Sequence, residues 1–178
     1  QNIVAKLKPH IKVALVCQEL DKLPQGFQCP EERSKPWGTA HAVLMAKDLV
    51  KEPFAVINGD DFYDFPAFQA MGNFLRQTSS ESSDYAMIGY PLGTTMSANG
   101  TVARGICTLN SNGSLEKVTE RHSIHFDKHR IVFNDENNIK TELEANKLVS
   151  MNFWGFSPLW FEQAEQIFIH FLHKNIRE

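Results

Sequence analysis

The chain has 178 residues, of which 42% are hydrophobic and 22% charged, and its formal net charge is −3. These values are typical of a single globular domain with a sizeable core, here residues 1–178. Because Lys and Arg form no run, we expect neither a nucleic-acid partner nor attraction to a membrane surface. Small ligands are the expected partners, and the sequence leaves a homo-oligomer open.

The three cysteines, Cys17, Cys29 and Cys107, are an odd number without metal-ligand spacing. They favour reduced thiols over a disulfide framework. No apolar run approaches the roughly 20 residues that a membrane helix needs, and no signal peptide opens the sequence. We therefore expect a cytoplasmic protein. Since residue 1 is Gln and residues 2–8 read as the tail of a helix, we also expect the chain to be an excised piece.

The first half of the chain alternates strand and helix patterns. Residues 11–16 are apolar and β-branched enough for a strand, and the Pro and Gly residues of 23–36 predict a long loop. A helix is expected after Gly38, stopped by Glu52 and Pro53. Residues 54–57 show no polar alternation, which is typical of a parallel strand covered on both faces.

The second half predicts a helix over 65–76, a strand over 85–90 and a hairpin that joins 104–109 to 115–118 through the turn at 110–113. Residues 122–147 are expected to be an excursion from the domain. A strand over 148–156 and a final helix begun by Ser157 and Pro158 follow. This order of elements predicts an α/β fold with a mixed, mostly parallel central sheet between layers of helices.

Two adjacent carboxylates, Asp60 and Asp61, follow the apolar strand at 54–57. Mg²⁺ in proteins is commonly held by one or two carboxylates, with water and substrate phosphates in its remaining positions. The alternative is that the two residues cap a turn or helix. Gly38 and Thr39, at a helix start, offer backbone N–H groups to a base or phosphate, although Gly at this position is also a common helix cap.

Together these features resemble the sugar-1-phosphate nucleotidyltransferases, which make nucleotide sugars from a nucleoside triphosphate and a sugar 1-phosphate. The resemblance covers nearly the whole chain, in family order. Its motifs are Gly38-Thr39-Ala40-His41-Ala42, Val56-Ile57-Asn58-Gly59-Asp60-Asp61, Arg104-Gly105-Ile106, Val118-Thr119-Glu120-Arg121 and Val149-Ser150-Met151-Asn152-Phe153-Trp154-Gly155-Phe156. It implies a Rossmann-like three-layer α/β/α sandwich of the nucleotide-diphospho-sugar transferase type.

The resemblance also implies residue roles. Gly38 and Thr39 would lie against the nucleotide base, with Asp61 as a further nucleotide-binding candidate. Asp60 would hold Mg²⁺ between the nucleotide and the sugar phosphate.

On the sugar side, Gly105 would approach the sugar through its backbone, and Glu120 and Asn152 would hydrogen-bond its hydroxyls. Arg121, where many members carry Lys, would pair with the sugar phosphate.

Each of these residues has a structural alternative. Glu120 and Arg121 are also consistent with a surface ion pair worth under ~1 kcal/mol. Asn152 lies inside an apolar strand, so we expect it to be buried. A buried amide without a partner costs about 1–3 kcal/mol, so Asn152 would need a backbone or ligand partner. The seven histidines show no paired ligand spacing, and His41 is expected to pack.

Two parts of the family's machinery have no counterpart: the opening Gly-rich loop with its Arg and its later Lys-Pro pair, and a second metal-binding residue near the carboxyl end. The resemblance therefore implies a fragment truncated at both ends, which we expect to be inactive alone and to bind triphosphate weakly. Two rival functions remain, a metal-dependent glycosyltransferase that uses a finished nucleotide sugar, and a non-catalytic nucleotide or sugar binder.

Overall fold

The structure, a computed structural model, describes residues 3–176. The described chain divides into two compact units. The helical unit contains the chain up to Pro53, Ser79–Ser83 and the chain from Ser157 onward, and the sheet unit contains Phe54–Thr78 and Asp84–Phe156. None of the helices in the described part is long and apolar enough to cross a membrane.

The helical unit contains α1 (Ile3–Leu7), α2 (Thr39–Leu44) and α4 (Leu159–Asn175). Packing between α2 and α4 centres on Phe168, whose ring lies 5.0 Å from that of His41 and 6.1 Å from that of Trp37. His41 is 1% exposed, as the sequence predicts. Its Nε2 donates to the backbone oxygen of Lys22, and its Nδ1 accepts from the Gln18 side chain. These bonds hold the ring in the core of this unit.

Two predictions for this unit are wrong. Residues 11–16 form no strand, and Leu15 is 76% exposed. A β-branched run becomes a strand only where a neighbouring strand accepts its backbone hydrogen bonds, and none within residues 3–176 does so. In addition, α2 ends at Leu44 and gives way to turns, well before the predicted stop at Glu52. The final helix, α4, is present where the sequence predicts it.

The sheet unit is built on seven strands. They are β1 (Phe54–Val56), β2 (Ala86–Pro91), β3 (Val102–Leu109), β4 (Leu115–Asp127), β5 (Arg130–Asn134), β6 (Lys140–Leu143) and β7 (Leu148–Phe156). One helix, α3 (Phe65–Gln77), follows β1, with Asp64 as its side-chain N-cap. A short 3₁₀ helix (Leu92–Thr95) follows β2.

The predicted three-layer α/β/α sandwich with a mostly parallel sheet is wrong. Every strand pair in the described chain is antiparallel, and only 25% of the chain is helical. The reason lies in β7, which pairs with both β1 and β2. The pattern β1, α3, β2 predicts a parallel neighbour pair, but the last strand lies between its two strands. That insertion is a long-range event that no local pattern encodes.

The middle of β7 is irregular. Residues 154 and 155 pair with β1 as well as β2, and residues 149 and 150 pair with β3 as well as β2, so β1 and β3 share one edge of β7. Between them, residues 151–153 have no partner strand on that edge. On the other edge the register of β2 shifts over the same stretch, and Asn152 has a φ of 60°. This region is a bulge, a feature often found beside binding sites.

The remaining strands form a meander in the order β3, β4, β5, β6. The predicted hairpin is present, although β4 continues to Asp127, so the predicted excursion begins within a sheet strand. The core of the sheet unit includes two clusters of buried residues. One includes Leu92, Ile106, Ile124 and Val149, and the other contains Tyr63, Ala67, Met71 and Phe153.

Candidate functional site

A cavity of about 190 Å³ lies in the sheet unit beside the bulge in β7. Four of the residues that the sequence singles out line it, from four separate segments: Asp61, Gly105, Glu120 and Asn152. Its other lining residues are Asn58, Ala103, Arg104, Val118, Ser150, Met151 and Trp154. We call it the first cavity.

Strand alternation explains which side chains of β7 reach this cavity. Successive residues of a strand point to opposite faces of the sheet. Val149 and Phe153 are fully buried in the two core clusters, whereas Ser150, Asn152 and Trp154 line the cavity. Met151, which packs against one of these clusters, also lines the cavity at the bulge. The result is a wall with a hydroxyl, an amide and an aromatic ring, a combination that suits a ligand carrying several hydroxyl groups.

The floor of the first cavity depends on Gly105. This glycine on β3 pairs with Glu120 on one side and Ser150 on the other. A Cβ at this position would lie 2.6 Å from Cγ1 of Val118 and 3.7 Å from Oε2 of Glu120. A side chain here would therefore clash with Val118 and fill the space beside the carboxylate, so this position of the cavity wall suits only glycine.

The loop after β1 supplies Asp61, whose carboxylate lines the first cavity in addition to that of Glu120. Nδ2 of Asn58 donates to Oδ2 of Asp61 at 2.7 Å, and the backbone N–H of Asn58 donates to the Tyr63 hydroxyl at 3.2 Å. Tyr63 in turn donates to the backbone oxygen of Met151 at 2.7 Å. Burial raises the pKa of the Tyr63 hydroxyl above its ordinary value, and the nearby Asp61 raises it further. Tyr63 is therefore a protonated donor that holds this loop against β7.

Asp60 is the neighbour in sequence of Asp61, which lines this cavity, but Asp60 is not itself a lining residue. Its side chain is exposed, as is that of Asp61. Within residues 3–176 no three His, Cys, Asp or Glu side chains come together as a metal site. Mg²⁺ needs only one or two protein carboxylates and takes its other oxygens from water and phosphates. The adjacent oxygen donors of Asp60 and Asp61 fit that requirement.

Arg121 does not line the first cavity. Neighbouring residues on a strand face opposite sides, and with Glu120 at the cavity the Arg121 guanidinium lies 4.9 Å from the ring centroid of Phe133, a core residue. No ion pair joins Glu120 to Arg121 in the described chain, so the surface-pair interpretation does not hold. Arg104 is the cation that does line this cavity.

The expectation that Asn152 is buried is wrong. Its side chain is exposed, and its backbone takes a left-handed conformation in which the N–H donates to Oγ of Ser150 at 3.1 Å. Asparagine tolerates this backbone conformation better than most residues do. Burial therefore does not force its amide to find a partner, and an exposed amide at a cavity wall is free to contact a ligand.

Gly38 and Thr39 belong to the helical unit. Gly38 has a φ of 99°, a left-handed value that favours glycine, and it is the residue before α2. Its carbonyl oxygen accepts from Nε2 of Gln18 at 2.9 Å. Both residues are exposed. Trp37, just before them, is buried and donates from its indole nitrogen to the backbone oxygen of Leu20, which makes it a core residue of this unit.

Sequence reasoning missed three features of the first cavity. The sequence did not predict the hydrogen bond by which Tyr63 holds the loop after β1 against β7. It also did not predict that Ser150 and Trp154 line the cavity, or that Arg104 does. Alternation along β7 is the signal that could have identified Ser150 and Trp154. Comparisons of this chain with models of protein families and with curated proteins gave no match.

Proposed function

We propose that the first cavity binds the sugar of a sugar 1-phosphate, and that the protein belongs to an Mg²⁺-dependent system transferring a nucleotidyl group to that phosphate. The observation that carries the proposal is the meeting of Asp61, Gly105, Glu120 and Asn152 at one cavity. These residues come from the loop after β1 and from β3, β4 and β7, so chance proximity in sequence does not explain their meeting.

The size of the cavity favours a monosaccharide. Cavities for drug-sized ligands are about 300–1,000 Å³, whereas this one is about 190 Å³. It suits one sugar ring better than a whole nucleotide sugar. The polar groups are also of the kind that sugars require, since carboxylate and amide oxygens accept hydrogen bonds from hydroxyls and the amide nitrogen and backbone N–H groups donate to them. Trp154 offers an apolar face to the C–H groups of a ring.

The chemistry needs no protein nucleophile. A phosphate oxygen of the sugar 1-phosphate attacks the α-phosphorus of the triphosphate, the bond between that phosphorus and the β-bridging oxygen breaks, and pyrophosphate leaves with the electron pair. Repulsion between the two anions opposes the approach. Mg²⁺, held by Asp60 with Asp61, would supply positive charge between the phosphates, and the protein's part is to orient the sugar. Base binding by Gly38 and Thr39, and phosphate binding by Arg121, stay predictions of the resemblance.

The proposal is tested by calorimetric titration of the chain with glucose 1-phosphate in the presence of Mg²⁺. Glu120→Ala should weaken binding by about tenfold or more, since a hydrogen bond to a charged group is worth roughly 1.5–3 kcal/mol. Glu116→Ala removes a carboxylate from the same strand outside the cavity and is the matched control, for which we expect unchanged affinity.

UDP-glucose is the second ligand for this test. A nucleotide sugar is the product of the proposed reaction, so its sugar should occupy the same cavity and Glu120→Ala should weaken both ligands. Binding of UDP-glucose without any binding of glucose 1-phosphate, together with an unchanged Glu120→Ala variant, would refute the proposal and favour a glycosyltransferase.

A further inference from the structure

A second cavity, of about 380 Å³, lies in the sheet unit, and none of the site residues predicted from the sequence lines it. It is formed by the loop after β1, by β2, by the 3₁₀ helix and the residue after it, and by Arg104 and Met151, which it shares with the first cavity. Its volume is within the range of small-molecule sites, about 300–1,000 Å³. We call it the second cavity.

Arg104 brings an uncompensated positive charge to this cavity. Its Nε donates to Oγ1 of Thr95 at 3.1 Å, its Nη2 to the backbone oxygen of Thr95 at 2.6 Å, and its Nη1 to the backbone oxygen of Ala103 at 2.8 Å. All these acceptors are neutral, and none of the ion pairs in the described chain includes Arg104. A guanidinium has five N–H groups, so donors remain for a ligand.

The residue opposite Arg104 on the neighbouring strand is also a cation. In the antiparallel pair of β3 and β4, Arg104 stands directly opposite Arg121. Like charges directly opposite each other destabilise a sheet. The two guanidinium groups are directed to different neighbours, one to Thr95 and the other to the ring of Phe133. The residue opposite Arg104 on β4 therefore supplies no counter-charge for it.

Tyr90 supplies a polar group that lacks a partner. Its hydroxyl is buried and has no hydrogen-bond partner within the described residues. Such a group costs free energy unless it is satisfied. Burial raises the pKa of the Tyr90 hydroxyl, and Asp64 raises it further, so the group is protonated and able to donate at neutral pH. Tyr90 lines the second cavity, and a ligand oxygen that reached this buried hydroxyl would accept a hydrogen bond from it.

The rest of the wall is largely apolar. Met96 and Met151 are half-buried, and Phe62 is 86% exposed at the surface. The one carboxylate in the wall belongs to Asp64. Its Oδ1 accepts from the backbone N–H of Ala67 at 3.1 Å, as the N-cap of α3. Arg104 is therefore the cationic group of this wall, with guanidinium N–H groups that no carboxylate of the described residues takes up.

We propose that the second cavity binds a small organic anion with an apolar or aromatic body. Its carboxylate or phosphate would pair with Arg104, an oxygen would accept from the Tyr90 hydroxyl, and its body would lie against Met96 and Met151. Carboxylates and phosphate monoesters share this chemistry, and planar guanidinium groups bind both.

The test uses four ligands of similar shape and different charge: benzoate, phenyl phosphate, benzyl alcohol and benzylamine. Each is titrated into the isotopically labelled chain, and binding is followed through the NMR resonances of residues around the second cavity. We expect one or both anions to bind at least about tenfold more tightly than benzyl alcohol. The stronger of the two identifies the head group. Equal binding of benzyl alcohol, tighter binding of benzylamine, or no binding of either anion would overturn the proposal.

Three variants locate the ligand. Arg104→Gln should remove the preference for anions, and Tyr90→Phe should weaken the better anion several-fold while the protein stays folded, because that hydroxyl has no partner to lose. Arg130→Gln removes an exposed arginine from β5 and should leave binding unchanged. If Tyr90→Phe binds like the wild type, the site is elsewhere. No sugar phosphate or nucleotide is present in these titrations, so their outcome is independent of the function proposed for the first cavity.

Discussion

The hydroxyl of Tyr63 donates a 2.7 Å hydrogen bond to the backbone oxygen of Met151. This bond joins the loop that carries Asp60 and Asp61 to the bulge in β7, where neither β1 nor β3 reaches the strand. It thus holds together two segments that line the first cavity and that are far apart in sequence. A second tyrosine, Tyr90, packs 6.5 Å from the Tyr63 ring with its hydroxyl unpartnered in the described chain.

Replacement by Phe should have different effects on stability at these two tyrosines. Tyr63→Phe leaves the carbonyl of Met151 and the N–H of Asn58 without their partner, and should lower the free energy of unfolding by about 1–3 kcal/mol. Tyr90→Phe removes a hydroxyl that has no partner and should leave stability unchanged or raise it. Urea denaturation of both variants measures the difference. Equal losses would contradict the hydrogen bonding described here.

A methyl group at Gly105 should be poorly tolerated. Its Cβ would lie 2.6 Å from Cγ1 of Val118, inside the paired region of β3 and β4. We expect Gly105→Ala to cost about 1–3 kcal/mol, as overpacking typically does, and to weaken binding of glucose 1-phosphate. At Gly59 a Cβ would meet nothing within 4 Å, so Gly59→Ala is the control for stability. Equal thermal unfolding midpoints for the two variants would argue against the close packing of Val118 against Gly105.

Two substitutions separate the backbone role of Asn152 from that of its side chain. Its φ of 60° favours Gly over Ala, and a left-handed conformation costs about 1–2 kcal/mol for an ordinary residue. Asn152→Ala should therefore be less stable than Asn152→Gly. Both lose the amide, so both should bind glucose 1-phosphate more weakly than the wild type. Wild-type affinity in the Gly variant would remove Asn152 from the sugar site.

Acid titration should reveal the ion pair between β4 and β6. Nζ of Lys140 lies 3.0 Å from Oδ2 of Asp127. Its hydrogen bond, followed by its charge, holds the pKa of the Asp127 carboxyl below its ordinary value. Because the folded-state pKa is the lower one, this carboxyl contributes its full stabilisation above the unfolded value of about 3.9 and loses it as the pH falls through the folded value.

An NMR titration of the Asp127 carboxyl carbon checks this account. Lys140→Gln should raise the midpoint, and Arg130→Gln should raise it less, because the charge of Arg130 has the smaller effect. An unchanged midpoint in Lys140→Gln would show that the ion pair does not form in solution.

Local signals predicted part of the local structure. The apolar residues of 65–76, Ser157 and Pro158 before α4 and the turn at 110–113 each act within a few residues, and the elements that they predict are present. The strand at 11–16 and the helix end at Glu52 were predicted from signals of the same kind and are wrong. The sheet was predicted wrongly because its order depends on β7, which comes almost 100 residues after β1 and lies between β1 and β2. The spacing of apolar residues along a strand cannot reveal that a distant strand will lie between two others.

The candidate site was likewise predicted only in part. The resemblance to the sugar-1-phosphate nucleotidyltransferases singled out residues on four segments that meet at the first cavity, although it could not show that Asn152 is exposed or that Arg121 lies against Phe133. Those facts depend on which face of each strand a side chain occupies. The second cavity had no sequence signal, because its features are a missing partner for Tyr90 and a missing counter-charge for Arg104, and both depend on tertiary structure.

The most direct measurement of the central claim is where a sugar 1-phosphate binds. Glucose 1-phosphate and Mg²⁺ are added to the isotopically labelled chain, and the backbone amide resonances are followed. We predict saturable shifts at Gly105, Glu120, Ser150 and Asn152, and their loss in Glu120→Ala but not in Glu116→Ala. Unperturbed resonances at these positions, or equal shifts in the Glu120→Ala variant, would contradict the claim that the first cavity is a sugar site.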